Sequence, residues 1–226
     1  KGFKWAMSEA ATEDYPTTQI DNGKTGKCVK LETRLTGDLG NMVGMPIAAG
    51  NLFIGSFDML NAITNPLSAT RFGTPFYNKP LRLTGYYKYK AGEQFYENGE
   101  YTSRKDIFNI YAIFYDGVKY VIAQATGFVS ANIHSSVSGT VVSVDNVTDA
   151  AGLSKPAITI KTEGDEWKFF DIPFDYQRYG KKIDEARLAK GEYKIGIIFA
   201  SSKDGATFEG APGSTLLIDE VELIYE

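Results

Sequence analysis

Apolar and polar residues alternate along much of this chain with a period of two, the pattern of strands that bury one face. The clearest run is Tyr193 to Ala200, where Tyr193, Ile195, Ile197 and Phe199 share a phase. Leu81 to Lys90 sets Leu81, Leu83, Tyr87 and Tyr89 against Arg82, Thr84, Tyr86, Lys88 and Lys90. Cys28 to Leu35 places Val29, Leu31, Thr33 and Leu35 on one side and Lys30, Glu32 and Arg34 on the other. In Asp106 to Tyr115 both faces carry large side chains. Phe108, Ile110, Ala112 and Phe114 form a wholly apolar face, while Asn109, Tyr111, Ile113 and Tyr115 form an aromatic and polar one. Asp116-Gly117 then predicts a two-residue hairpin into Val118 to Ala123.

Further strands are predicted over Phe3 to Met7, Gly139 to Val144, Ala157 to Thr162 and Trp167 to Phe174, while Gly44 to Phe57 is apolar and glycine-interrupted, with Leu52, Phe53, Ile54 and Phe57 as expected core. One short helix is expected, over Lys181 to Lys190 with a stop at Gly191. The final stretch runs from a loop with Gly205, Gly210, Pro212 and Gly213 into a strand over Thr215 to Tyr225. There Leu217, Val221, Leu223 and Tyr225 share an apolar phase, and Asp219 falls in it. A buried carboxylate must be ion-paired, hydrogen-bonded, metal-bound or turned outward by a bulge. About ten strands, no βα alternation and no linker predict an all-β protein. The expected architecture is a two-sheet antiparallel jelly-roll-like β-sandwich, forming a single domain over residues 1–226 with at most one short helix.

Composition narrows the function. A chain of 226 residues suits one large β-sandwich, and 14 Tyr with 14 Phe fit strand-rich structure. The net charge of −4, with no basic run, lacks the footprint of a nucleic-acid binder. A single cysteine, Cys28, excludes an intrachain disulfide and a cysteine-based zinc site. No apolar run is long enough for a transmembrane helix. The only histidine, His134, rules out a histidine-rich metal site and reads as a solvated loop residue.

Two chemistries remain. Sugar rings offer an apolar C–H face and a rim of hydroxyls, which aromatic platforms beside polar side chains match. Tyr86, Tyr111 and Tyr115, with Arg82, Lys88 and Asn109, are the candidate substrate-binding residues, expected on one outer sheet face opposite clear core faces. The 28 Asp and Glu could alternatively supply the acid–base pair of a glycosidase, with Asp106, Asp116, Asp171 and Asp175 beside aromatic strands as first candidates. Asp219 with Glu32 is the candidate site for a structural calcium ion, since calcium takes carboxylates and loop carbonyls. No other cofactor is called for.

Ser201-Ser202-Lys203, Gly205, Phe208, Gly210-Ala211 and Gly213 to Leu216 lead into Ile218 to Leu223. With Leu31-Glu32-Thr33, Ala48-Ala49-Gly50, Phe72 to Phe76 and Gly85 to Lys90, this pattern resembles the putative carbohydrate metabolism domain family of bacterial surface and secreted proteins typical of Bacteroidetes. The resemblance implies a jelly-roll-like sandwich similar to carbohydrate-binding modules. It also implies an exported protein, lipid-anchored at the cell surface or periplasmic, with an upstream domain in the same polypeptide. It carries no catalytic residues. The expected function is a glycan-binding module for poly- or oligosaccharides. The alternatives are a glycoside hydrolase or polysaccharide lyase using Asp or Glu, and a structural or adhesion module of a surface lipoprotein.

Overall fold

In the strand Asn109–Tyr115 all seven residues are buried, on both faces. A strand of that kind needs something packed on each side, and the fold is built around meeting that need. The computed structural model describes residues 15–58, 70–117, 120–126, 133–137, 140–144 and 164–226. The strands predicted over Phe3 to Met7 and Ala157 to Thr162 lie outside them.

Two antiparallel sheets enclose the core. The first runs Thr17–Ile20, Cys28–Glu32, Thr215–Tyr225, Pro80–Lys90, Gly164–Pro173. The second runs Val121–Thr126, Asn109–Tyr115, Tyr193–Ala200, Asn51–Phe53, with Thr74–Phe76 pairing on the far half of Tyr193–Ala200. Leu31, Leu83, Tyr87, Phe170, Ile172, Leu216 and Ile218 from the first sheet share one buried cluster with Ile110, Ala112, Phe114, Ile195, Ile197 and Phe199 from the second. Phe108 locks the layers together, its ring 5.0 Å from Tyr87 and 4.8 Å from Tyr89. The phases predicted for Leu81 to Lys90 and for Tyr193 to Ala200 are those observed.

Beyond these two sheets, Thr140–Val144, Ile133–Val137, Thr70–Phe72 and Gly55–Phe57 form a third. His134 therefore lies in a strand, its backbone paired with Ser143, and not in a loop.

Three expectations change. The described residues hold two short α-helices, not one: Gly37–Met42 and Glu185–Ala189. The first was masked by its glycines. Gly40 is required, since a Cβ there would meet Thr36 Oγ1. The second is shorter than predicted because Asp184 caps it, accepting from the N–H groups of Ala186 and Arg187. The hairpin after Tyr115 is wider than two residues: Tyr115 pairs with Val121, and Asp116 N–H donates to the Tyr120 carbonyl at 2.9 Å.

The closing strand also differs in phase. Leu216 and Ile218 face the core, so Leu217 and Asp219 point out. A bulge follows at Glu220, whose φ of 49° is left-handed, and it shifts the register between Asp219 and Glu222. Past the bulge Leu223 turns inward. Asp219 is thus outward-facing and hydrogen-bonded: Oδ2 accepts from Thr25 N–H at 3.1 Å and Oδ1 from Glu220 N–H at 2.9 Å.

Candidate functional site

The six predicted sugar-contact residues do not share a face. Tyr86, Arg82 and Lys88 lie on the outer face of the first sheet, whereas Asn109, Tyr111 and Tyr115 lie on the second sheet. The second group is buried as well: Tyr111 is 8% exposed, and it packs with Ile113, Tyr115, Val121 and Ile198 under Phe53, Phe72 and Tyr179. Tyr115 donates its hydroxyl to the Phe72 carbonyl at 2.8 Å. Burial pushes the Tyr111 phenol up from its ordinary value, as expected of a ring without access to water. These rings are a second core layer.

The first group reaches the surface, with Arg82 exposed and Tyr86 and Lys88 half-buried, and is already partnered. Lys24 Nζ sits 4.8 Å from the Tyr86 ring centroid, and Lys88 Nζ lies 5.2 Å from that of Trp167. Arg82 makes a bidentate pair with Asp171, both bonds 2.6 Å. Trp167, half-buried, belongs to this outer face. Phe169, 58% exposed and 5.2 Å from Tyr86, is its most open ring.

The candidate acids have structural partners. Asp171 pairs with Arg82, Asp175 accepts from Gln177 and Arg178 N–H, and Asp116 accepts from Tyr120 N–H. Asp106 is buried. Its Oδ2 accepts from Ser202 (2.5 Å), Ser214 (2.7 Å) and Ala211 N–H (2.8 Å), and its Oδ1 from Ile107 N–H (2.8 Å). Burial pushes the pKa of the Asp106 carboxyl up from its ordinary value, and those four hydrogen bonds pull against the rise. Ser202 continues the network to Thr33, which also meets Ser201. Ser201 in turn accepts from Gly50 N–H. Asp106 is the pin that holds the 201–214 loop.

Asp219 and Glu32 are not brought together. On the closing strand Glu32 sits opposite Thr215, four residues from Asp219, and Glu32 is ion-paired with Lys30 and, at 3.0 Å, with Arg34. Among the described residues no group of three metal-ligating side chains forms.

A cleft forms where three distant parts of the chain meet. Its volume is about 750 Å³ and three separated segments line it. Leu35, Asn41, Gly44 and Pro46 come from around the first helix; Tyr96, Asn98, Gly99 and Tyr101 from a hairpin; Thr207, Phe208 and Glu209 from the pinned loop. The hairpin Phe95–Glu97/Glu100–Thr102 turns on Asn98-Gly99, with φ of 52° and 88°, the positive pair such tight turns require. It pairs Tyr96 with Tyr101, ring centroids 5.2 Å apart and edge-on. Phe95, one residue before, points inward and is buried beneath the Arg104 guanidinium. Tyr96 and Gly210 exchange both backbone hydrogen bonds, at 2.9 and 3.1 Å, and so tie hairpin to loop. Phe208 holds a φ of 61°, a left-handed conformation costly for a bulky residue. Phe208 N–H to Gly205 and Glu209 N–H to Asp204 fix it there.

Tyr101 is 50% exposed, and the hydroxyls of Tyr96 and Tyr101 and the amides of Asn41 and Asn98 make no hydrogen bond with other described residues. The cleft therefore offers ring surface next to polar groups that no other described residue engages.

The family described as "Putative carbohydrate metabolism domain" matches residues 1–224. The chain belongs to that family. It is 46% identical to a protein of Bacteroides vulgatus described as a "putative glycoside hydrolase", covering 93% of this chain and 78% of that one, with a TM-score of 0.76. A Bacteroides thetaiotaomicron protein described in the same words is 44% identical, with 98% of this chain and 60% of that one covered and a TM-score of 0.79. The chain thus spans less than two thirds of the second protein. A family 11 carbohydrate-binding module of a Clostridium thermocellum cellulase aligns at 14% identity and a TM-score of 0.33, over 93% of this chain and 81% of that one. No curated protein matches.

Proposed function

We propose that this domain is a glycan-binding module and that its sugar site is the cleft between the first helix, the Asn98-Gly99 hairpin and the 205–209 loop. The observation that carries the reading is the Tyr96–Tyr101 pair beside uncommitted Asn41 and Asn98 amides in one concavity. Aromatic rings take the C–H face of a pyranose, and amides bridge its hydroxyls. The membership in a carbohydrate-related family supports the same class of ligand. The module works, in this proposal, within an exported protein at the cell surface or in the periplasm, beside an upstream domain.

Intrinsic fluorescence titrated with a panel of poly- and oligosaccharides tests it. A saturable response that weakens at least about tenfold in Tyr101→Ala is expected. A flat response to every glycan sinks the reading. Retained affinity in Tyr101→Ala with loss in Tyr86→Ala moves the site to the outer sheet face, where exposed Phe169 favours a second platform.

A hydrolase is the competing reading, drawn from the words used for the two Bacteroides proteins. Against it, the described cleft lining holds one carboxylate, Glu209, and glycoside hydrolysis by the usual route takes two. Reducing-sugar release that vanishes in Glu209→Gln would overturn the binding-only account.

A further inference from the structure

We infer that the cleft selects neutral sugars over uronic acids and sulfated sugars, with Glu209 as the discriminating residue. The inference rests on the cleft being the sugar site and names the class of sugar it takes.

The charge inventory of the cleft carries it. Its described lining contains no lysine and no arginine, and Glu209 is its one ionisable carboxylate. Thr207 donates its hydroxyl to the Asp204 carbonyl at 2.8 Å and lies 3.3 Å from Glu209 Oε2, and among the described residues Oε1 has no donor. That oxygen is an acceptor waiting for a hydroxyl. Arg104, three residues beyond Tyr101, cannot easily substitute as a partner for an acidic sugar. Its guanidinium lies 4.3 Å above the Phe95 ring, with Nη1 donating to Glu97 at 2.9 Å and Nη2 to Asp204. Turning it into the cleft would break its pairs with both Glu97 and Asp204.

A sugar carboxylate or sulfate entering this site would lose water, find no cation in the described lining and meet Glu209. An unpaired charge and a like-charge neighbour are each unfavourable, so they reject the ligand by the same physics that makes mismatched interfaces specific. A neutral pyranose meets neither obstacle. Its hydroxyls can donate to Oε1 of Glu209 and exchange hydrogen bonds with Asn41 and Asn98, while its C–H face covers a tyrosine.

The test compares linkage-matched pairs that differ only at C6: gluco- against glucurono-oligosaccharides, and galacto- against galacturono-oligosaccharides. Wild type is expected to bind the neutral member at least about tenfold more tightly in whichever pair it recognises, with the ratio shrinking as salt is raised. Glu209→Gln should narrow that ratio several-fold, and Glu209→Lys should reverse it. Equal or tighter binding of the acidic member by wild type overturns the selectivity and leaves the glycan-binding reading standing. So does a ratio that Glu209→Gln leaves unchanged. Binding of neither member of either pair, nor of any other glycan, by protein with an intact far-ultraviolet spectrum overturns both.

Discussion

Tyr111 and Tyr101 are the same side chain under opposite conditions. Tyr111 stands on a strand buried on both faces, packed against Phe53, Phe72 and Tyr179. Tyr101 stands on a two-stranded hairpin, half exposed, with Tyr96 beside it and a cleft before it. Alternation marks both as outward from the main core. What separates them is whether a third layer arrives from elsewhere in the chain, and the short strands near Phe53 and Phe72 bring that layer only to Tyr111. An aromatic residue facing away from one core is a ligand platform only where no second core claims it.

Substitutions that act on one tyrosine set and spare the other sharpen this contrast. The largest effect is expected from Tyr111→Ala. Removing a fully packed ring leaves a cavity and should cost about 3–5 kcal/mol in urea unfolding, while the protein that remains folded keeps its sugar affinity. Lost affinity in the folded fraction would make Tyr111 a ligand contact after all.

Next comes Asp106→Ala. It leaves Ser202, Ser214 and the N–H of Ala211 without their buried acceptor, and should cost about 3 kcal/mol. Because it frees the loop that presents Phe208, it should weaken sugar binding as well, measured by titration below the unfolding transition. An unchanged midpoint would mean the loop is held by other contacts.

Tyr101→Ala should do the reverse of Tyr111→Ala. Unfolding should shift by no more than about 0.5 kcal/mol, as at other surface positions, with affinity falling at least about tenfold.

The smallest effect concerns acid. Hydrogen bonds from Arg104 and Thr102 hold the Glu97 carboxyl below the ordinary glutamate value of 4.5. A depressed folded value means the stabilisation is present above the unfolded value and is lost as pH falls through the folded one. The stability gap between wild type and Arg104→Met should therefore be full at neutral pH and close below about pH 4.5, as followed by urea midpoints across a pH series. A gap that stays constant into strong acid would remove the Glu97 pair from the account.

Much of the scaffold is legible in the sequence because period-two alternation reports burial locally. Tyr193, Ile195, Ile197 and Phe199 declare a core face without any knowledge of their partners, and so do Phe108 to Phe114. The outer faces are not legible in that way. Whether Tyr111 and Tyr115 meet water depends on Phe72 and Tyr179, 39 to 68 positions away along the chain. Asp219 shows the same limit on a smaller scale. Its phase looks apolar only if the strand is regular, and the bulge at Glu220 sits one residue later.

The cleft is the harder case, since residues 35–46, 96–101 and 207–209 converge only in three dimensions. One signal was nevertheless available. Asn98-Gly99 is a stronger tight-hairpin dipeptide than the Asp116-Gly117 favoured in its place, and two residues to either side it carries Tyr96 and Tyr101. The glycine loop is held by Asp106 and also supplies Thr207, Phe208 and Glu209 to the lining.

The most direct test of the cleft as the sugar site is backbone chemical-shift mapping of the isotopically labelled domain during titration with the best neutral oligosaccharide. The account predicts that the largest shifts cluster at Asn41, Tyr96, Asn98, Tyr101 and Phe208, with Tyr86, Phe169 and Tyr111 unmoved. Shifts centred on Tyr86 and Phe169, or no shifts with any glycan, would contradict it.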